Sequence, residues 1–154
     1  MQEKKSETLP QLLKNTYEDI PDRIALRFKD FGIWKTYTWS EYYRHVRDFA
    51  LGLASLGFGK GDKIGIIGEN QPPWYWGELA AQALGGICVG IFVDAVPKEI
   101  RYIVEHSDAS VVMAHDQEQV DKILDLKADR GDELRWSSAH RPAPRSGLRH
   151  TART

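Results

Sequence analysis

The sequence predicts an α/β protein, with a partial doubly wound layer of three β-α units on a parallel sheet, preceded by a helix and a β-hairpin. The main observation is that from Lys63 onward, apolar strand-like segments alternate three times with helical segments. Strands that are apolar on both faces and separated by helices require a parallel sheet covered on both sides. Right-handed crossovers then favour the doubly wound arrangement. A chain of 154 residues has room for one such domain.

Two helices are predicted before Lys63. Thr8 is the expected N-cap of the first, which should run to about Tyr17 with Pro10 in its first turn. Ser40 is the expected N-cap of the second, and Gly57 the residue that ends it. Apolar residues recur every three or four positions in this second helix and predict one buried face. These residues are Tyr43, Val46, Phe49, Ala50, Leu53 and Leu56.

A β-hairpin is predicted between these helices. Residues 24–29 alternate apolar and polar side chains, and residues 34–38 are rich in β-branched and aromatic side chains. Residues 30–32 lie between them and contain Gly32, which suits a turn.

Three strand-helix pairs follow the hairpin and the second helix. The predicted strands are 64–68, 87–93 and 110–114, and the predicted helices are 74–84, 97–105 and 117–126. Residues 70–73 are expected to form a loop. Asp116 and Gln119 have the spacing of a capping box for the last helix.

Residues 128–154 differ in composition from the rest of the chain. Up to residue 127 the basic residues are ten Lys and five Arg, and after it there are six Arg and no Lys. This segment has no Val, Ile, Phe or Tyr, so we predict that it is disordered. It is either a solvated tail or the product of a shifted reading frame. A basic arm that binds nucleic acid is the less favoured alternative.

Composition narrows the class of protein. The single cysteine, Cys88, lies in an apolar run and has no disulfide partner, which favours a reducing compartment. The first residues show no secretion signal, so we expect a cytoplasmic chain that begins here. The most apolar window, residues 79–93, is shorter than a membrane span. We therefore expect no transmembrane segment and no nucleic-acid partner.

The sequence resembles the amino-terminal region of adenylate-forming enzymes, with the long-chain acyl-CoA synthetases as the most similar branch. The resemblance covers about residues 8–127, and the matching segments follow one another in register. They are Thr36–Tyr42, Gly61–Trp74, Ala80–Gly86, Val89–Phe92 and Glu99–Ala109.

This resemblance implies an AMP-forming reaction in which a fatty acid, ATP and coenzyme A give acyl-CoA, AMP and pyrophosphate, with Mg accompanying the ATP. Such chemistry needs a Gly/Ser/Thr-rich phosphate loop, a carboxylate for the ribose and a lysine that neutralises developing charge. The sequence contains no Ser-Gly-Thr-Thr-Gly loop and no later family motif. The resemblance thus transfers no catalytic residue to this chain, and we expect it to bind no cofactor and to be inactive alone. A homodimer and peripheral membrane contact of the full-length form stay open.

Three polar residues follow predicted strand ends and are the candidates for substrate binding: Glu69, Asn70 and Asp94. Capping and turn formation are the favoured roles for them. Gly65 and Gly68 lack the spacing of a dinucleotide fingerprint and are expected to serve close packing. The histidines show no metal-ligand spacing. Trp74 and Trp76 are expected to anchor the core.

Two classes of function therefore stay open. The first is a non-catalytic part of a ligase. The second is a self-standing α/β binding or interaction module. An uncovered sheet edge with exposed apolar faces would favour the first class, because a module that stands alone should not expose such surfaces.

Overall fold

The computed structural model describes residues 7–128. These residues form five helices and five strands, and the predicted fold class is confirmed. In chain order the elements are α1 (Leu9–Asp19), β1 (Ile24–Asp30), β2 (Ile33–Thr38), α2 (Trp39–Ser55), β3 (Lys63–Ile67), α3 (Pro72–Ala83), β4 (Ile87–Ile91), α4 (Pro97–Ser107), β5 (Ala109–Ala114) and α5 (Gln117–Ala128). The predicted tail lies outside the described residues, except that Ala128 ends α5.

The parallel sheet has the strand order β4-β3-β5. Its central strand is the most deeply buried, and Ile64, Ile66 and Ile67 are at most 1% exposed. On one face of the sheet, α1, α2 and α3 enclose a core that includes Leu13, Val46 and Ala80. On the other face, α4 and α5 enclose a second core. Helices therefore cover both faces, as a doubly wound layer requires.

The start of α2 differs from the prediction. The N-cap is Thr38, whose hydroxyl accepts the N–H of Glu41 at 3.2 Å, while the Glu41 carboxylate accepts the N–H of Thr38 at 2.9 Å. Ser40 lies inside the first turn, and its N–H donates to the carbonyl of Pro21. The prediction of Ser40 as the cap was wrong because Thr38 is followed three residues later by a glutamate, which completes a capping box.

The buried face of α2 also needs two corrections. Leu56 is 52% exposed, because α2 ends at Ser55 and Leu56 is its C-cap. Tyr42, which the pattern did not include, is buried, four residues before Val46. Gly57 follows the cap with φ +82°, which confirms it as the residue that ends the helix.

Two boundaries around α3 and β4 were misplaced. The predicted loop 70–73 includes Pro72 and Pro73, but these are the first two residues of α3, where no intrahelical N–H is required. β4 ends at Ile91, two residues earlier than predicted. Ile87 is 52% exposed, so this strand is not covered on both faces within the described residues.

Candidate functional site

The carboxyl ends of the three parallel strands form the edge at which open α/β sheets place their ligands. The segment after β3 leads into α3 on one face of the sheet, and the segment after β5 leads into α5 on the other face. The connections therefore diverge between β3 and β5. This switch point is the candidate site.

Four polar side chains form a string across the switch point. The Gln71 side chain lies between two of them: its Oε1 is 3.2 Å from His115 Nε2, and its Nε2 donates to Glu69 Oε2 at 3.4 Å. Asp116 Oδ2 lies 3.8 Å from His115 Nδ1. We call Glu69, Gln71, His115 and Asp116 the switch-point string.

The two backbones beneath this string lie very close together. The N–H of His115 donates to the carbonyl of Ile67 at 3.0 Å, which continues the β3-β5 pairing past the strand end. A Cβ atom at Gly68 would lie 2.7 Å from the Cβ of His115. Glycine is therefore required at this position, and the first residue after each strand is held in place.

The structure brings two of the three predicted site residues together. Glu69 and Asn70 are exposed and line a hollow of about 310 Å³ with Trp74 and the end of β4. Asp94 lies apart from them and lines a second hollow of about 740 Å³ between the end of β4 and α4. Sequence reasoning missed Gln71 and His115. The signal for His115 was available, since it directly follows the predicted strand 110–114, just as Glu69 directly follows the predicted strand 64–68.

The helix N-termini at this edge offer few free donors for a phosphate group. Helix N-termini bind anions through backbone N–H groups, but α3 begins with Pro72–Pro73, which have none. α4 begins with Pro97, and the carboxylate of Glu99 accepts its N-cap N–H at 3.1 Å. In α5, the Asp116 carboxylate accepts the N–H of Gln119 at 3.0 Å, which confirms half of the predicted capping box. Prolines and carboxylates thus occupy positions at which backbone N–H groups would have to donate to a bound phosphate.

Helix α5 holds the loop after β4 in place. The Lys122 ammonium donates to the carbonyl of Val93 at 3.1 Å and pairs with the Glu118 carboxylate at 2.9 Å. Gln119, at 4% exposed, is buried beside them. The loop after β4, which carries Asp94, is therefore held by the helix that follows β5.

Two ionisable groups near the core, the buried Tyr42 and the partly buried Cys88, favour their neutral forms. Burial raises the pKa of the Cys88 thiol to about 11 and that of the Tyr42 hydroxyl to about 12. Both side chains lie in or against the core on the α3 side of the sheet. Neither is prepared to act as a nucleophile near neutral pH. Within residues 7–128, no group of three His, Cys, Asp or Glu side chains is arranged to hold a metal ion.

An apolar groove runs along the outer side of β5. It has a volume of about 840 Å³, and we call it the α2–β5 groove. Its lining includes Phe49, Gly52, Leu56, Pro73, Trp76, Val111 and Met113. In the part of the chain that the structure describes, β5 pairs only with β3, so its outer edge is open. The groove and this edge form one continuous uncovered surface.

The wall of the groove contains an aromatic cluster. His45 stacks on Trp76 with ring centres 4.1 Å apart, and Tyr37 contacts the edges of both rings. Trp76 and Trp74 pack against the core as predicted. The indole Nε1 of Trp76 is buried without a hydrogen-bond partner among the described residues. A buried N–H donor without a hydrogen-bond partner is uncommon in the interior of a complete protein.

A parallel sheet with a switch point and helices on both faces defines the class of protein as a doubly wound α/β protein. A family model described as AMP-binding enzyme matches residues 13–149. The chain therefore belongs to the AMP-binding enzyme family.

Curated relatives are long-chain-fatty-acid–CoA ligases. The chain is 31% identical over 123 residues to ACSBG2 of Rattus norvegicus, covering 80% of this chain and 18% of that protein. It is 31% identical over 119 residues to ACSBG1 of Homo sapiens, covering 77% of this chain and 16% of that protein. The chain thus spans less than a fifth of the length of these relatives.

Solved structures share the fold. VinN matches with a TM-score of 0.72 at 22% identity, over 79% of this chain and 30% of that chain. The N-terminal subdomain of Klebsiella oxytoca NpsA, in complex with 3-hydroxyanthranilyl-AMSN, matches with a TM-score of 0.65 at 23% identity, over 73% of this chain and 28% of that chain.

Proposed function

We propose that this chain is the amino-terminal part of an AMP-forming long-chain fatty-acid–CoA ligase and that it does not form acyl-adenylate alone. Residues 8–127 are the ligase portion of this proposal. The similarity to curated ligases supports the family of reaction. The sequence supports the lack of activity, because it contains neither the phosphate loop nor the later motifs.

The observation that carries the proposal is the uncovered α2–β5 groove. Soluble proteins rarely leave a large contiguous apolar surface exposed beside an open strand edge. Here the groove, the edge of β5 and the unpartnered Trp76 donor occur together. In the whole ligase, further strands and helices would cover this surface and supply the missing phosphate and ribose contacts.

The substrates of the whole ligase are then a long-chain fatty acid, ATP and coenzyme A, with Mg bound to the ATP. Within residues 7–128, no helix is long and apolar enough to cross a membrane. A cytoplasmic location, with or without peripheral membrane contact, belongs to the same proposal. So does a homodimer of the full-length form.

The groove can be tested with the dye anilinonaphthalene sulfonate and a matched pair of variants. Leu56 and Leu51 are both exposed leucines near the end of α2, but only Leu56 lines the groove. We expect the folded chain to bind the dye. Leu56→Gln should weaken the dye signal, and Leu51→Gln should not.

The opposite result would support the self-standing module. A sharp cooperative melt without dye binding would show that the groove is not an unfinished core. Equal dye signals from the two glutamine variants would show that the dye binds elsewhere, and the groove would no longer support the proposal.

A further inference from the structure

The tip of the β1-β2 hairpin exposes apolar side chains that no described element covers. Phe31 is fully exposed, Ile33 is 69% exposed and Trp34 is 66% exposed. They are consecutive except for Gly32. Single exposed apolar residues are common on protein surfaces, but a cluster at a projecting tip indicates a contact surface.

The backbone at this tip is unfavourable for the residue it carries. Phe31 has φ +46° and Gly32 has φ +84°, so both residues of the two-residue turn lie in the left-handed region. Such a turn favours Asn-Gly, and a bulky side chain in the first position is strained. Folding would be served better by asparagine than by phenylalanine at position 31. The stability of the turn therefore does not account for phenylalanine at this position.

The strand register places basic side chains beside the apolar tip. Lys29 pairs with Trp34, and Arg27 pairs with Thr36, so these four residues share one face of the hairpin. All four are exposed. On the opposite face, Leu26, Phe28 and Tyr37 are partly buried.

The hairpin carries a net positive charge near its tip. Lys35 is paired with Asp30, which leaves the charges of Arg27 and Lys29 on the outer face. Apolar and aromatic tips enter the interface of a bilayer, and nearby basic residues attract its anionic headgroups.

We propose that the tip of the β1-β2 hairpin is a docking surface for an anionic lipid bilayer. Phe31 and Ile33 enter the interface, Trp34 lies at headgroup level, and Lys29 with Arg27 contacts the headgroups. This surface is separate from the switch point and from the α2–β5 groove. It names the surface that would make the peripheral membrane contact included in the proposed function, and vesicle binding tests it without any ligase activity.

The test is flotation of the full chain with vesicles, because aggregated protein sediments whereas vesicle-bound protein rises. Two vesicle types are used: phosphatidylcholine alone, and phosphatidylcholine with phosphatidylserine. We expect the chain to float with the anionic vesicles and less with the neutral ones. Raising the salt concentration should weaken this binding, since exposed charges are screened.

Phe31→Asn separates folding from binding. It suits the left-handed turn, so the stability of the chain should be unchanged or higher. Its partition coefficient should fall by about tenfold, because the large apolar side chain is lost. Lys29→Gln should lower binding to anionic vesicles by about fivefold and leave neutral vesicles unaffected. Leu51→Gln, which changes an exposed leucine on α2, should bind like the parent.

Several results would overturn the proposal. One is a parent chain that stays at the bottom of the gradient with both vesicle types. Another is flotation of Phe31→Asn equal to that of the parent. A Phe31→Asn variant that changes the oligomeric state in gel filtration without changing flotation would assign the tip to a contact between copies of the chain.

Discussion

Replacing Gly86 by alanine is expected to destabilise the chain, whereas the same replacement at Gly59 is expected to be neutral or slightly stabilising. A Cβ atom at Gly86 would lie 2.4 Å and 2.6 Å from two ring carbons of Phe58 and 3.0 Å from the carbonyl oxygen of Asp62. Phe58 is 5% exposed, so its ring has little room to move. A Cβ atom at Gly59 would meet nothing within 4 Å.

Comparing Gly86→Ala with Gly59→Ala isolates the steric contribution to the free energy of unfolding. Neither glycine has a positive φ, so both replacements reduce the entropy of the unfolded chain by a similar amount, worth about 0.4–1 kcal/mol. Overpacking costs roughly 1–3 kcal/mol. We therefore expect Gly86→Ala to lie about 2 kcal/mol below Gly59→Ala in free energy of unfolding.

Urea unfolding followed by tryptophan fluorescence measures this difference. Phe58→Leu provides a second check, because a smaller side chain should reduce the cost of Gly86→Ala in the double variant. Midpoints of Gly86→Ala and Gly59→Ala that agree within error would refute the packing described between Phe58 and the start of β4.

Four further predictions concern other parts of the chain. Cys88 should react with iodoacetamide about a hundredfold more slowly at pH 8 in the folded chain than in urea, because partial burial raises the pKa of its thiol from 9.0 to about 11. Equal rates in the two states would contradict this burial. Thr38→Ala should cost about 1 kcal/mol through loss of the α2 cap, as measured by urea unfolding. Hydrogen bonds from Thr38 lower the pKa of the Glu41 carboxyl below its ordinary value of 4.5, so the cap stabilises the chain above that pH and loses this effect as the pH falls through the lowered pKa. Glu41→Gln should therefore flatten the acid limb of a curve of unfolding free energy against pH. An unchanged acid limb would count against the cap. Gly68→Ala should displace His115 and shift its imidazole NMR signals, while spectra identical to the parent would contradict the close approach of the two backbones.

The fold was predictable from the sequence because local signals agreed with one another. Alternating strands and helices specified the doubly wound layer, and the turn at Gly32 specified the hairpin. Errors arose where two local signals competed. Thr38 and Ser40 both suit an N-cap, and only the position of Glu41 distinguishes them. Pro72 suits both a loop and the first turn of a helix.

The candidate site was only partly predictable. Glu69 and Asn70 could be placed because they follow a strong apolar strand. Gln71 and His115 are 44 positions apart and meet only because β3 and β5 are neighbours, and sequence periodicity does not report the order of strands. The exposed hairpin tip was missed for a different reason. The sequence predicts a turn at residues 30–32 and a strand from Trp34, and only the structure shows that Phe31, Ile33 and Trp34 are exposed together.

The central claim is that this chain belongs to a ligase whose chemistry requires parts not present in its described fold. Pyrophosphate release with ATP, Mg, palmitate and coenzyme A tests that claim most directly, with a full-length long-chain-fatty-acid–CoA ligase as the positive control. We predict no release above the blank for the purified chain under conditions in which the control turns over. Release that depends on palmitate would contradict the account and would require a phosphate-binding site that the switch-point edge does not provide.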